Sequence, residues 1–351
     1  MRIQNDPPLD LTYCLNVHPG ESWQDNLSAI EGPALAVRRQ VCPDRPFGLG
    51  LRLSRQAAQT LSRPDQLRAL EDFLRRHDLY VFTINGFPYG QFHGTVVKED
   101  VYRPDWATSQ RRDYTILLAN ILAALLPEGQ TGSISTVPGS YKRWVRDPQH
   151  VGQMCQMLAE TAMHLAKIRD LAGKDIALAL EPEPDCFLET TAETIAFLAG
   201  PLLVEGAAHL QGRYGLGRPA AQELLRRHVG VCFDTAHLAV QFEDLAASLR
   251  RLRAEGIAVS KIQLSSALTV RPGPGAIEEL SAFQDGVYLH QVRALLVGGG
   301  AASFRDLPEA LAAAPGQSDV AEWRVHFHVP LFFQGAGHLG ATSSLLTGEF
   351  A

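Results

Sequence analysis

Residues 176–185, IALALEPEPD, run almost wholly apolar and then break into Glu181, Pro182, Glu183, Pro184 and Asp185. A continuous apolar run is what a parallel strand covered on both faces looks like. In barrel-type α/β folds the active site forms at the carboxyl ends of such strands, so charged side chains at a tip are the first candidates for chemistry. The segment VGVCFDTAH, 229–237, repeats the design and sets Asp234 and His237 at a second tip. Two acidic tips, far apart in the chain, point to a divalent metal.

Strand-like and helix-like segments alternate for most of the 351 residues, the pattern that implies parallel pairing with helical crossovers. The strand candidates are LTYCLNV (11–17), GLGLRLS (48–54), LYVFTING (79–86), GSISTV (132–137), IALALE (176–181), VGVCFD (229–234), VSKIQLS (259–265) and WRVHFHVPLF (323–332). Helix punctuation supports the reading. Asp147 followed by Pro148 predicts an N-cap and first-turn proline, with helical spacing kept until Gly173. Thr190 with Glu193 forms a capping-box pattern directly after the carboxylate tip.

Three segments depart from a minimal repeat: an aromatic and glycine-rich excursion near 87–112, a lengthened crossover near 200–228, and 269–322, read as an inserted hairpin or short subdomain. Loops of the first kind are usually functional, and this one is a candidate lid. No Pro, Gly or Ser-rich linker divides the chain, so 1–351 is expected to form one domain.

With 46% hydrophobic and 20% charged residues the chain has ample core for a large α/β domain. A net charge of -6 and a pI near 6.1 argue against a surface for nucleic-acid phosphates. Cys14, Cys42, Cys155, Cys186 and Cys232 are scattered without C-x-x-C pairs, which makes a reducing cytosol the default. The first residues lack the order of a secretory signal, and no apolar run reaches the ~18 residues of a bilayer span. The expectation is a cytoplasmic protein with a small-molecule partner, no nucleic acid and no membrane insertion, with a homo-oligomer left open.

Hard cations such as magnesium and manganese prefer carboxylate oxygens, and imidazole widens the choice to zinc, iron or cobalt. Glu181 and Asp234 converge if their strands are neighbours, and on the following strand Gln263 and Ser265 point to one side. The competing reading for both acids is helix N-capping. Against it stands the several kcal/mol that burying a lone carboxylate costs. His237, three residues after Asp234, is placed to ligate metal, bind a substrate hydroxyl or move a proton near neutral pH. In VHFHVP, His326 and His328 share one strand face with Phe327 on the other; they suit a metal or an anionic substrate, or equally satisfied polar groups inside a barrel. His93, with Tyr89, Phe92, Tyr102 and Trp106, gives the aromatic excursion a sugar-stacking reading, with Lys98 or Arg103 near a phosphate, beside that of a packed surface loop. TVPGSYK, 136–142, offers Gly139, Ser140 and Lys142 as a phosphate or hydroxyl cradle without a Walker spacing, and GRYGLG (212–217) lacks the spacing of a dinucleotide loop.

Across nearly its whole length the chain resembles the xylose-isomerase-like TIM barrels, the sugar isomerase and epimerase superfamily, and more closely the family called metabolite traffic protein EboE. The strings that carry the resemblance are LTYCLNVHPGESW, TINGFPYGQFHG with VKEDVYRPDW, STVPGSYK, LEPEPDCFLETTAET, CFDTAHLAVQFED and HFHVPLF. It implies an α/β (β/α)8 barrel encoded in a small gene cluster concerned with making or moving a metabolite. It also implies a Glu after strand five, matched by Glu181; an Asp with a nearby His after strand six, matched by Asp234 and His237; a ligand after strand seven, often His, here Gln263; and a Glu after strand eight, for which this sequence offers no match. Two countings stay open: HFHVP is the eighth barrel strand, or it is the penultimate element and the last strand is absent. Glu183 or His326 are the substitutes for the missing acid or base.

The resulting expectation is a divalent-metal-dependent isomerase or epimerase for a sugar, sugar phosphate or cyclitol, the ion being manganese, magnesium, iron, cobalt or zinc. Glu181, Asp234 and Gln263 are its ligands; Glu181, Glu183 and His237 serve catalysis; His326, His328, Lys142 and His93 bind substrate. The alternatives are a metabolite-binding protein using the same pocket without turnover, and a metal-dependent hydrolase or endonuclease of the superfamily.

Overall fold

All eight apolar segments form strands, and seven of them make one parallel sheet. The computed structural model describes the chain except for Pro7, 91–97, Asp285, 315–318, Thr347, Ala351 and the side chain of Glu349. A short antiparallel ribbon of β1 (Arg2–Asn5) and β2 (Pro8–Asp10) comes first. The sheet is β3 (Thr12–Cys14), β4 (Phe47–Arg52), β5 (Leu79–Asn85), β6 (Thr131–Thr136), β7 (Asp175–Leu180), β8 (Val229–Asp234) and β9 (Val259–Gln263), paired in chain order with every pair parallel. Every residue of β4 and β8 is buried, as strands covered on both faces require.

Helices fill the crossovers, with the caps that the sequence predicts. Asp147 accepts from the His150 N–H at the start of Pro148–Ala172, and Gly173 ends that helix with φ 66°. Thr190 and Glu193 complete a reciprocal capping box ahead of Thr191–Ala199. The sheet curls, because the Lys261 ammonium on β9 donates to Ser135 Oγ on β6 at 3.1 Å, past two intervening strands. This is an α/β, TIM-barrel-like fold. Among the described residues no eighth parallel strand links β9 back to β3, and on the outer side of the sheet Ile262 and Leu264 stay 44% and 50% exposed. No described helix is long and apolar enough to cross a membrane.

The eighth candidate strand belongs elsewhere, which corrects its counting as a barrel strand. It is β13 (Val320–His328), central in an antiparallel sheet with β10 (Ala267–Val270), β11 (Val292–Leu296), β12 (Ala301–Phe304) and β14 (Leu339–Ala341), in the order β12-β11-β13-β10-β14. The physical reason lies in its alternation. Trp323 and Val325 turn into a separate core with Leu268, Val292 and Ala294, while Arg324, His326 and His328 face the other way. That period of two suits a sheet with an apolar core on one face and polar contacts on the other, unlike the continuous runs of β7 and β8. The region expected to be a hairpin or short subdomain near 269–322 is thus part of a five-stranded sheet spanning Ala267 to Ala341.

This sheet lies over the tips of β7 and β8. The Arg293 guanidinium on β11 donates to Asp185 Oδ1 at 2.7 Å and to Glu189, and its Nε reaches Gln241 Oε1 at 3.3 Å. Arg324 on β13 donates to the Ala239 carbonyl at 2.7 Å and stacks over the Phe242 ring at 4.1 Å. Asp185 sits at φ 65°, a left-handed conformation Asp tolerates better than most residues.

Replacing Arg293 with Met takes the cation from the largely buried Asp185 and leaves Glu189 with Lys142 alone. The expected loss, read by urea unfolding at neutral pH, is about 3 kcal/mol; a loss near zero contradicts the docking role of this residue.

Candidate metal centre at the strand tips

Glu181 follows β7 directly, and its backbone N–H donates to the Thr136 carbonyl of β6, which fixes the tip. Asp234 ends β8, in register with Gln263 at the end of β9. Adjacent parallel strands therefore bring the three side chains together. The Gln263 amide nitrogen donates to Glu181 Oε1 at 2.6 Å and to Asp234 Oδ2 at 2.9 Å. Both carboxylates are nearly inaccessible, at 4% and 2% exposure.

Asp234 serves two ends at once. Its Oδ1 caps the helix Thr235–Val240 by accepting from the Ala236 and His237 N–H groups and from Ser265 Oγ at 2.6 Å. Its Oδ2 faces Gln263. Glu181 caps no helix, since the one that follows starts at Thr191 under Thr190. Its Oε2 and the Gln263 Oε1 are buried atoms without a hydrogen-bond partner among the described residues.

Burial and the neighbouring Asp234 charge push the Glu181 carboxyl up to about 8, opposed by the Lys261 ammonium and the Gln263 amide. Burial also drives Glu183 well above the ordinary carboxylate range, with Glu181 and Asp234 adding to the effect against a hydrogen bond from Tyr102. Burial works against ionised Asp234 as well, but His237, His328, the Ser265 hydroxyl and the His237 N–H outweigh it, and its carboxyl lies below the usual value. One carboxylate is thus held ionised and two are driven toward the neutral acid, an arrangement that a cation relieves.

These residues fit a divalent ion. Glu181, Asp234 and His237 offer ligand atoms that all lie within 4.8 Å of one another. The oxygen and nitrogen of a Gln amide are interchanged by a half-turn, and that turn brings Gln263 Oε1 to the spot now held by its nitrogen. Oxygens about 2.1 Å from an octahedral ion are roughly 3 Å apart, close to the 2.6 and 2.9 Å spacings seen here.

Imidazoles form the other wall. His237 Nδ1 is 3.0 Å from the Pro182 carbonyl, while its Nε2 lies 4.0 Å from Asp234 Oδ2. His326 and His328 share one face of β13, with Nε2 atoms 3.3 Å apart, and their ring centroids are 4.6 and 5.6 Å from that of His237. Phe327 points the other way, against Phe283 and His290. The His pair thus reaches the site from the antiparallel sheet.

Glu183 closes the group. Tyr102 OH donates to its Oε1 at 2.7 Å, and His326 Nδ1 is 3.7 Å from the same oxygen. Three contributors escaped the sequence reading. Gln291 links Tyr102, the Pro184 carbonyl and His326; Arg293 anchors the tip; Lys261 sits below Glu181 inside the curl. Only Lys261 had a local signal, its spacing of two from Gln263 and four from Ser265 on one strand face.

Other expectations are corrected. The Lys142 ammonium is committed to Glu189 and, at 2.9 Å, to Glu193, and Ser140 Oγ donates to Asp105 at 2.6 Å, so the expected cradle is spent on internal pairing. Tyr102 and Trp106 are no stacking platform, since both are buried; Tyr102 lies flat on Tyr141 and the Trp106 indole donates to Thr136 Oγ1. Lys98 pairs with Asp306, and Arg103 with Asp100 and the Trp144 ring. His93 and Phe92 lie outside the described residues.

No family model matches the chain, and no curated protein does. Among solved structures it is similar to the probable 3-DHS dehydratase AsbF involved in petrobactin synthesis from Bacillus anthracis, at 12% identity over 79% of this chain and 77% of that one, with a TM-score of 0.44. It is similar to the IolI protein with a bound zinc atom, at 12% identity over 70% of each chain and a TM-score of 0.40. It is also similar to a xylose isomerase domain protein from Planctomyces limnophilus, at 12% identity over 63% of this chain and 64% of that one, with a TM-score of 0.41. At these values the likeness says nothing of activity.

A carboxyl raised on folding lowers stability once the pH exceeds the unfolded value of 4.5, and its effect grows until the folded value near 8 is passed. In chelator-treated protein, Glu181→Gln therefore gains stability relative to wild type as the pH is raised from 5 to 8, measured by thermal unfolding. A constant difference across that range contradicts the assignment of the raised group to Glu181.

Proposed function

We propose that the chain is a divalent-metal-dependent isomerase or epimerase acting on a sugar, sugar phosphate or cyclitol-like metabolite. The observation that carries the reading is the convergence of Glu181, Asp234 and Gln263 on one point where three adjacent parallel strands end. These three are the ligands of the ion. Bound there, it polarises a carbonyl or hydroxyl oxygen of the substrate.

The chain's own groups divide the remaining work. Glu183, held toward the acid form by burial, is the proton-carrying carboxyl, and Tyr102 OH keeps it oriented. It stands in for the Glu that the resemblance places after an eighth strand. The antiparallel sheet covers this side of the tips and keeps bulk water from the acids, and Lys261 balances their charge from beneath. The resemblance to the EboE family supports a small metabolite as substrate, and the net charge of -6 supports it over a nucleic-acid backbone.

A second reading, retention of the metabolite without turnover, is favoured by one detail. The Gln263 amide already bridges one oxygen of each carboxylate, so the two acids are held together without an ion. Manganese-loaded protein incubated in deuterated water with a panel of aldoses, ketoses, their phosphates and cyclitols separates the two. The expected result is deuterium at the carbon beside the carbonyl. Binding with no exchange favours retention, and neither binding nor exchange overturns both readings.

On the substrate that exchanges, Glu183→Gln lowers kcat by about 10²- to 10⁴-fold with manganese still bound. An unchanged kcat removes Glu183 from proton transfer.

A further inference from the structure

The Pro182 and Pro184 carbonyls set the chemistry of the histidines beside them. A carbonyl oxygen only accepts, so His237 Nδ1, 3.0 Å from Pro182 O, carries the proton of that ring. The lone pair of neutral His237 is then on Nε2. The Gln291 amide nitrogen donates to Pro184 O at 3.1 Å and to Tyr102 OH at 3.2 Å, which turns Gln291 Oε1 toward His326. That oxygen accepts from His326 Nδ1 at 2.8 Å, so the His326 lone pair is likewise on Nε2. Metal-binding histidines are prepared in this manner, the distal N–H given to a carbonyl or amide oxygen and the other nitrogen left bare.

The bare His326 nitrogen meets the His328 ring. His326 Nε2 is 3.3 Å from His328 Nε2, and ligand nitrogens of His237, His326 and His328 all lie within 4.8 Å of one another. Two nitrogens each bound about 2.0–2.1 Å from a tetrahedral zinc are roughly 3.3–3.4 Å apart, the separation found here. His328 is exposed while His237 is buried, so the cluster opens to solvent on one side, and a fourth position is reachable by water or substrate. The His237 atom nearest Glu181 is Nδ1, at 3.9 Å, already engaged by Pro182. Its Nε2, 4.0 Å from Asp234 Oδ2 and beyond hydrogen-bond reach of it, is left for the imidazole cluster.

We propose that His237, His326 and His328 form a cation site of their own, a three-imidazole site for zinc or a similar borderline ion, distinct from the carboxylate and amide set of Glu181, Asp234 and Gln263. The two sets differ in what they select. Oxygen ligands favour hard ions, and three neutral nitrogens favour zinc, cobalt or nickel. The proposal goes beyond the isomerase reading and holds whether or not the carboxylates bind an ion. It joins the two sheets, since His237 follows β8 and the other two ligands lie on β13.

Cobalt is the probe, added to chelator-treated full-length protein with stoichiometry read by equilibrium dialysis and coordination by visible absorption. The expected result for wild type is two ions per chain, one giving the intense bands of a low-coordinate nitrogen site. His328→Asn, a change at an exposed residue, removes one ion and those bands. Glu181→Gln removes the other ion and leaves the bands. Gln291→Leu, which removes the acceptor for His326 Nδ1, weakens the absorbing site about 10- to 100-fold. A wild type holding one ion that survives Glu181→Gln and is lost in His328→Asn supports the imidazole site and defeats the carboxylate one. Unchanged bands in His328→Asn, or bands lost with Glu181→Gln, overturn the proposal.

Discussion

Two carboxylates buried side by side are the constraint around which this molecule is arranged. Glu181 and Asp234 come from strands nearly fifty residues apart in sequence, yet both are almost sealed from water and bridged by one amide group. Isolated buried charge is expensive, and every neighbour answers it: Lys261 from the interior of the curl, the N–H groups of the helix at Thr235–Val240 and Ser265 on one oxygen, Gln263 on the next. What remains, among the described residues, is an unpartnered Glu181 oxygen and an unpartnered Gln263 oxygen.

The antiparallel sheet gives the second half of the site. Its residues meet the Glu-Pro-Glu-Pro-Asp tip at Pro184, Asp185 and Glu189, so the same short segment that delivers a carboxylate also anchors the cover. The prolines have no N–H to compete for, and their carbonyls orient one histidine directly and another through Gln291. The protonation pattern of the imidazoles is in this sense written into the backbone of the acidic turn.

The parallel sheet was legible because its strands are covered on both faces and so read as unbroken apolar runs ending in charge; the caps at Asp147 and Thr190 were legible because capping is local. Gln263 falls beside Glu181 and Asp234 once their strands are neighbours, and its place as third ligand comes from the family resemblance; the structure brings the three side chains together. The rest depended on contacts between distant segments. WRVHFHV has an alternating pattern, yet nothing within it tells which sheet it joins, and its place in the antiparallel sheet is set by pairing with β10 and β11. Arg293 and Gln291 sit in a stretch whose role appears only when it folds over the tips. Tyr102 and Trp106 look like a ligand platform in sequence, and burial alone distinguishes that from core.

Anomalous diffraction from crystals soaked in manganese tests the central claim most directly. The account predicts a single strong peak roughly 2.1 Å from Glu181 and Asp234 oxygens, with the Gln263 amide turned so that its oxygen faces the ion. A Gln263 nitrogen still bridging the two acids, with no peak between them, contradicts it.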